Sequence, residues 1–209
     1  MKNVARVISQ IAFLLIFAIL IIQARMNIWL ILFGATLLAA VFLGRIYCGW
    51  ICPVHTGMRP INWLAKKIGY KRLRVPRILK SRVLPWIMLG LMVIVIIMSR
   101  LARVNVPILL LILALGALLT LIFQPEVFHT YICPYGALQG LAGRIARKSY
   151  RVDKKNCDGC SICKAACEAE AIAIKNGKAD IHKGVCLQCG LCEQSCPQDT
   201  ISYRTDRWF

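Results

Sequence analysis

The stretch Cys157-Asp158-Gly159-Cys160-Ser161-Ile162-Cys163-Lys164-Ala165-Ala166-Cys167 is answered 29 residues later by Cys186-Leu187-Gln188-Cys189-Gly190-Leu191-Cys192-Glu193-Gln194-Ser195-Cys196. Both copies read C-x2-C-x2-C-x3-C. At this spacing three close thiolates hold three irons of one cubane, and the fourth cysteine ligates the other cluster. Cys157, Cys160, Cys163 and Cys196 are thus expected to hold one [4Fe–4S] cluster, and Cys186, Cys189, Cys192 and Cys167 a second. Zinc is the plainer rival, but it wants its four ligands in two separated pairs, and crossed sets of three plus one favour cubanes.

The residues around the octet agree with that assignment. Ile172 to Ile181 alternates around Asn176-Gly177, a pair suited to a tight hairpin. Ile162, Ala165, Ala166, Leu187 and Leu191 can wall the clusters off from water. The second copy ends in Pro197 where the first has Glu168, which removes a fixed φ after Cys167 and predicts a small effect on stability or potential without loss of ligation. The segment 149–209 is too small and too poor in large apolar residues to fold without such staples, and reads as an α+β bacterial dicluster ferredoxin domain.

Outward from the octet, toward the N-terminus, the composition turns apolar. The 209 residues are 58% hydrophobic and 17% charged, too greasy a mix for an average soluble domain. Four stretches lack charge for long enough to approach a bilayer crossing: Val7 to Ala24, Met26 to Gly44, Val83 to Ser99 and Val104 to Pro125. The third is short, and Arg82 and Arg100 are its candidate snorkelling ends. No small-residue cleavage site follows the first, so a removable signal peptide is not expected. Residues 1–148 therefore read as a membrane all-α four-helix domain.

Lysine and arginine number 27 against 9 acidic residues, a formal +18. Ten of the basic residues fall in the connector 45–82, while Lys2, Arg6 and the patch from Arg144 to Lys155 flank the outer ends of the membrane domain. Basic loops stay in the cytoplasm, which predicts a multi-pass protein of the inner (cytoplasmic) membrane with both termini and the basic loop on the cytoplasmic side. Orientation and anionic-lipid contact absorb the charge, and no nucleic acid is needed. A cytoplasmic octet also disfavours disulfides.

A duplication stands at the end of the second and the fourth span. Tyr47-Cys48-Gly49-Trp50-Ile51-Cys52-Pro53 aligns with Phe128-His129-Thr130-Tyr131-Ile132-Cys133-Pro134, so the membrane domain reads as a pair of duplicated helical hairpins. If helices continue through these motifs, Cys48 with Cys52 and His129 with Cys133 form two pairs on helix faces, ended by Pro53 and Pro134. Three readings stay open. The four side chains hold an additional iron, iron–sulfur or zinc centre; the cysteines and Gly49 are small residues for close helix packing; or Arg45, Trp50, His55 and Tyr131, with Tyr47 and Tyr135 nearby, line a quinone headgroup site.

Gly44-Arg45-Ile46-Tyr47-Cys48-Gly49-Trp50-Ile51-Cys52-Pro53, the second copy ending Tyr131-Ile132-Cys133-Pro134-Tyr135-Gly136-Ala137-Leu138-Gln139, and the C-terminal octet together resemble the NapH/MauN-type membrane ferredoxins. The likeness extends to membrane domains of nitrous-oxide-reductase maturation and cytochrome-oxidase assembly proteins. It implies an electron conduit between the quinone pool, or another redox subunit, and a partner oxidoreductase. The family's second motif has cysteine at both ends, and here His129 takes the first place.

The expected function is membrane electron transfer, with no bond made in a substrate and no catalytic residue. The alternatives are a quinol dehydrogenase in its own right and an electron-supplying assembly factor for a metalloenzyme. No phosphate loop or dinucleotide fingerprint occurs, so electrons must pass through other redox subunits or a soluble carrier, in a hetero-oligomeric membrane complex.

Overall fold

Leucine, isoleucine and alanine dominate Lys2–Ile22 and Met26–Leu43, and these become helices α1 and α2. Both are long and apolar enough to cross a membrane. In lipid every backbone polar group must be satisfied within the segment, a condition a helix meets. The computed structural model describes residues 2–23, 25–70, 73, 76, 79, 81, 83–102, 108–123 and 127–205. Outside the described residues lie Ala24, the expected span limits Val104 and Pro125, Phe209, and most of the basic run, namely Lys71, Arg72, Arg74, Arg77, Lys80, Arg82 and Arg103. The side chains of Lys2, Lys66 and Arg100 lie outside them too.

The chain packs as two compact units, one formed by Met1–Cys52 with Gln139–Phe209 and the other by Pro53–Leu138. In the first unit, α1 and α2 meet through Phe17 and Trp29, whose ring centroids are 5.0 Å apart. Trp29 donates its indole N–H to the Tyr47 hydroxyl at 3.0 Å, and Phe33 meets the Tyr47 ring edge-on. The outward faces remain apolar: Ile8, Leu15, Ile31 and Leu38 are each at least 60% exposed. A surface of that kind fits a hydrocarbon surround. Helix α2 stops where Gly44 turns into the left-handed region at φ 76°.

Past Gly44 the chain makes a π turn, Tyr47–Ile51, closed by the Cys52 N–H donating to the Tyr47 carbonyl at 2.8 Å. The same first unit contains the cysteine-rich segment. Strand β1 (Lys148–Val152) pairs antiparallel with β4 (Ile201–Thr205), from Lys148 opposite Thr205 to Val152 opposite Ile201. Strands β2 (Ile172–Lys175) and β3 (Lys178–Ile181) form the expected hairpin. Its two turn residues, Asn176 at φ 51° and Gly177 at φ 70°, have the positive angles of a primed turn.

The second unit holds α3 (Pro53–Ile68), α4 (Leu84–Leu101), α5 (Ile108–Ile122) and a second π turn, Phe128–Ile132. The apolar stretches within α4 and α5 are Leu84–Ser99 and Leu110–Ile122, shorter than α1 and α2. Helix α3 packs on α5 around Gly116, which meets Met58, Val54 and Phe128. Much of the expected basic loop is thus a helix, in which Val54 and Met58 are buried while Trp63, Leu64 and Ile68 are exposed. Lys67 stands 5.1 Å over the Trp63 ring, a cation on an aromatic face.

The duplicated motifs are not α-helical, which corrects the expectation of cysteine pairs on continuous helix faces. In each copy a five-residue π turn gives way to a cysteine in extended geometry, Cys52 at ψ 118° and Cys133 at ψ 116°. The following prolines demand this, because their ring excludes the α region for the residue before them. Pro53 and Pro134 then begin new helices, α3 and α6 (Pro134–Arg144), where a missing N–H costs nothing.

Candidate iron–sulfur centres

Two four-residue helices, α7 (Ile162–Ala165) and α8 (Leu191–Gln194), each follow a loop carrying the first two cysteines of a copy. The loops repeat their backbone as well as their cysteines. Gly159 and Ser161 have φ 74° and 65°, Gln188 and Gly190 φ 55° and 77°, and Glu170 and Asp199 φ 50° and 48°. Left-handed residues interspersed with right-handed ones aim successive N–H groups into a common concavity, the arrangement that cradles anions. Non-glycine residues accept the strain of about 1–2 kcal/mol only where the surroundings enforce it.

Each concavity is a cavity bounded by four cysteines. One is lined by Cys167, Cys186, Cys189 and Cys192, with Tyr150, Ile172, Leu187 and Leu191 among its walls. The other is lined by Cys157, Cys160, Cys163 and Cys196, with Val152, Ala179, Thr200 and Ile201. Both groupings are the crossed sets of three plus one expected from the spacing. Among the described residues no group of three or more His, Cys, Asp or Glu side chains is drawn together to hold a metal ion. The thiols surround a volume instead of a point. A cubane requires that and a single zinc ion does not, so the donor set and its spacing fit two four-thiolate clusters.

Four of the thiols are poorly solvated. Burial raises Cys163, Cys189 and Cys192 above the ordinary thiol range and pushes Cys186 up to about 12. Burial also raises Cys196, but hydrogen bonds from Thr200 and Gln198 outweigh it and leave this thiol below its ordinary value. Thiolates in the first group therefore need the positive charge of iron, and loading releases protons. Backbone N–H groups reach the sulfurs, as Ala171 does to Cys167 at 3.3 Å and Gln188 does to Cys186. Such contacts stabilise a negatively charged cluster and raise its potential.

The cavity bounded by Cys167 and Cys186 abuts the first π turn. A Cβ on Gly49 would stand 2.1 Å from the Leu187 carbonyl oxygen, so only glycine admits this approach. Trp50 donates its indole N–H to the Gln188 carbonyl at 3.0 Å. Arg45, 3% exposed, donates to the carbonyls of Gly184 and Val185 and to the Cys48 sulfur at 3.7 Å. On the other side of the turn, α1 presents Arg6, Ser9 and Gln10. Arg6 and Gln10 donate to the Gly49 carbonyl at 3.1 and 2.8 Å, and Ser9 to that of Trp50 at 3.2 Å. Arg6 also pairs with Glu168. Spacing of i, i+3 and i+4 puts these three polar residues on one helix face, a pattern present in the sequence but masked by the apolar run around it.

The second cavity carries the one exposed cysteine of the octet, Cys160. A further cleft is lined by Arg151, Lys154, Lys183 and Arg204, with Asp180 as its acid. It shares Tyr150 and Ile181 with one cysteine cavity, and Val152 and Ala179 with the other.

The membrane-edge residues divide between the two units. Arg45, Cys48, Trp50 and Cys52 belong to the first unit, and His55, His129, Tyr131 and Cys133 to the second. Within the second, His55 Nδ1 and His129 Nε2 share a hydrogen bond of 3.0 Å, both rings buried. Within the first, Arg45 and Trp50 are occupied with the loop carrying Cys186 and Cys189.

Residues 28–71 and 106–152 match the family model described as a 4Fe-4S binding domain, and residues 156–201 match that of a 4Fe-4S dicluster domain. The methylamine utilization ferredoxin-type protein MauN of Paracoccus denitrificans is 30% identical over 156 residues, 65% of this chain and 53% of that protein. The ferredoxin-type protein NapH of Haemophilus influenzae is 28% identical over 168 residues, 72% of this chain and 58% of NapH. The regulatory protein NosR of Stutzerimonas stutzeri is 26% identical over 68% of this chain, which corresponds to 22% of NosR. The chain spans about half the length of the curated MauN relatives it matches.

Proposed function

This chain is a NapH/MauN-type ferredoxin, and from that premise we propose that it is an integral membrane carrier relaying single electrons between a soluble carrier and a membrane redox partner. The observation that carries the proposal is the pair of cysteine-lined cavities, one with its Cys160 exposed to solvent and the other seated on a π turn at the end of an apolar helix. A [4Fe–4S] cluster supplies reversible one-electron chemistry when bound. Cys157, Cys160, Cys163 and Cys196 hold one, and Cys186, Cys189, Cys192 and Cys167 the other.

The chain's own residues do the rest. Leu187, Leu191 and Ile172 exclude water from the membrane-edge cavity. Trp50 and Arg45 fix the Gly184–Gln188 loop against the π turn, so the electron's exit is held at one spacing. Residues 1–148 serve as the membrane domain and 149–209 as the cluster domain. Four apolar helices form the former as two duplicated hairpins, with both termini cytoplasmic. The contact of Arg6, near the start of α1, with Glu168 supports a common side for the N-terminus and the cluster domain. The third metal centre and the quinone pocket drop out of the proposal, since Arg45, Cys48 and Trp50 are engaged in seating the cluster loop.

The cationic cleft is the docking place for an acidic electron carrier, because an acidic surface placed there faces both clusters. Charge steering makes transfer from such a carrier slow as ionic strength rises from about 0.01 to 0.15 M. Rates independent of salt would contradict the cleft's role. For the carrier function itself, full-length protein purified without oxygen should bleach with dithionite and regain its colour on mild oxidation, iron content unchanged. Colour that ignores reductant would contradict it.

A further inference from the structure

Arg6 is 1% exposed, in a helix otherwise suited to lipid, and its charge is compensated from the cysteine-rich segment of the chain. Its Nη2 pairs with Glu168 Oε2, and its Nε donates to the Gly49 carbonyl at 3.1 Å. One guanidinium thus grips the residue after Cys167 and the π turn on which the cluster loop rests. Glu168 stands where the second copy has Pro197, so the departure from the repeat supplies the acid. Removing the carboxylate partner of a buried arginine is strongly destabilising. The π turn also leaves the Gly49 and Trp50 carbonyls without helical donors, because the backbone breaks at Cys52 and Pro53 has no N–H; Arg6, Ser9 and Gln10 supply them.

We propose that Arg6 and Glu168 are a positioning pair that seats the cluster held by Cys167, Cys186, Cys189 and Cys192 on the first π turn and sets its reduction potential. The proposal rests on the electron-carrier reading. Reduction adds one negative charge to the cluster, so a nearby cation favours the reduced form and a nearby carboxylate opposes it. The two members therefore act with opposite sign, which a merely structural contact would not.

The test is a redox titration followed by electron paramagnetic resonance on the anaerobic full-length protein and its Arg6→Gln, Glu168→Gln and Arg6→Gln/Glu168→Gln variants. One potential should fall with Arg6→Gln, rise with Glu168→Gln and return toward the parent value in the double variant, while the other cluster's potential stays put. Arg6→Lys should restore most of the fall. If Arg6→Gln sheds iron, Glu168→Gln and Arg6→Lys still decide: a raised potential in the first and a near-parental one in the second support the pair. Unmoved potentials, or shifts of the same sign in both single variants, would overturn this proposal alone. An unaltered chain without clusters would overturn the carrier reading and this proposal together.

Discussion

Gly49 shows how one missing side chain fixes where a cluster sits. The Leu187 carbonyl occupies the place of its Cβ, and the aligned residue of the second motif is Thr130. Gly49→Ala should therefore lower stability by about 1–3 kcal/mol through overpacking and make iron loss faster on warming. Gly34→Ala, in α2 with nothing within 4 Å, is the control and should be neutral or slightly stabilising. An equal effect of both substitutions would contradict the seating described here. The sequence offers Gly49 only as a small residue for packing, since a backbone approach from Leu187, far along the chain, leaves no local mark. Arg6 is legible as a topology signal but not as an ion-pair partner, for the same reason. Glu168 is visible as a departure from the repeat, and only its partner gives the departure a physical cause.

At the scale of elements, the cysteine spacing is decisive and the helix periodicity is not. C-x2-C-x2-C-x3-C reports a ligand set directly, so the two groups of four are readable before any fold. The π turns are hidden, because hydropathy and residue type do not distinguish an i→i+5 bond from i→i+4, and prolines that look like helix stops are helix starts. Helix α3 is hidden by charge, which marks 45–82 as a loop although Val54 and Met58 recur on one face. Crossed ligation makes its own prediction. Cys196→Ser should disturb the same resonance signal as Cys157→Ser, and Cys167→Ser the same signal as Cys186→Ser. Pairing of Cys167→Ser with Cys157→Ser would contradict it.

For the whole molecule, the distribution of basic residues and apolar runs carries the membrane reading. The exposed faces of α1 and α2 supply its physical content, since Ile8, Leu15, Ile31 and Leu38 are each at least 60% exposed. Reporter fusions at both ends should read out as cytoplasmic, and a reporter between α4 and α5 as extracytoplasmic; any end found outside would contradict the four-helix arrangement. Eight thiolates holding two cubanes are counted by iron analysis and spin integration on reduced, oxygen-free, full-length protein. About eight irons per chain and two magnetically interacting [4Fe–4S] signals are expected. Zinc in their place, or iron near half that amount with a single uncoupled signal, would contradict the pair of cubanes.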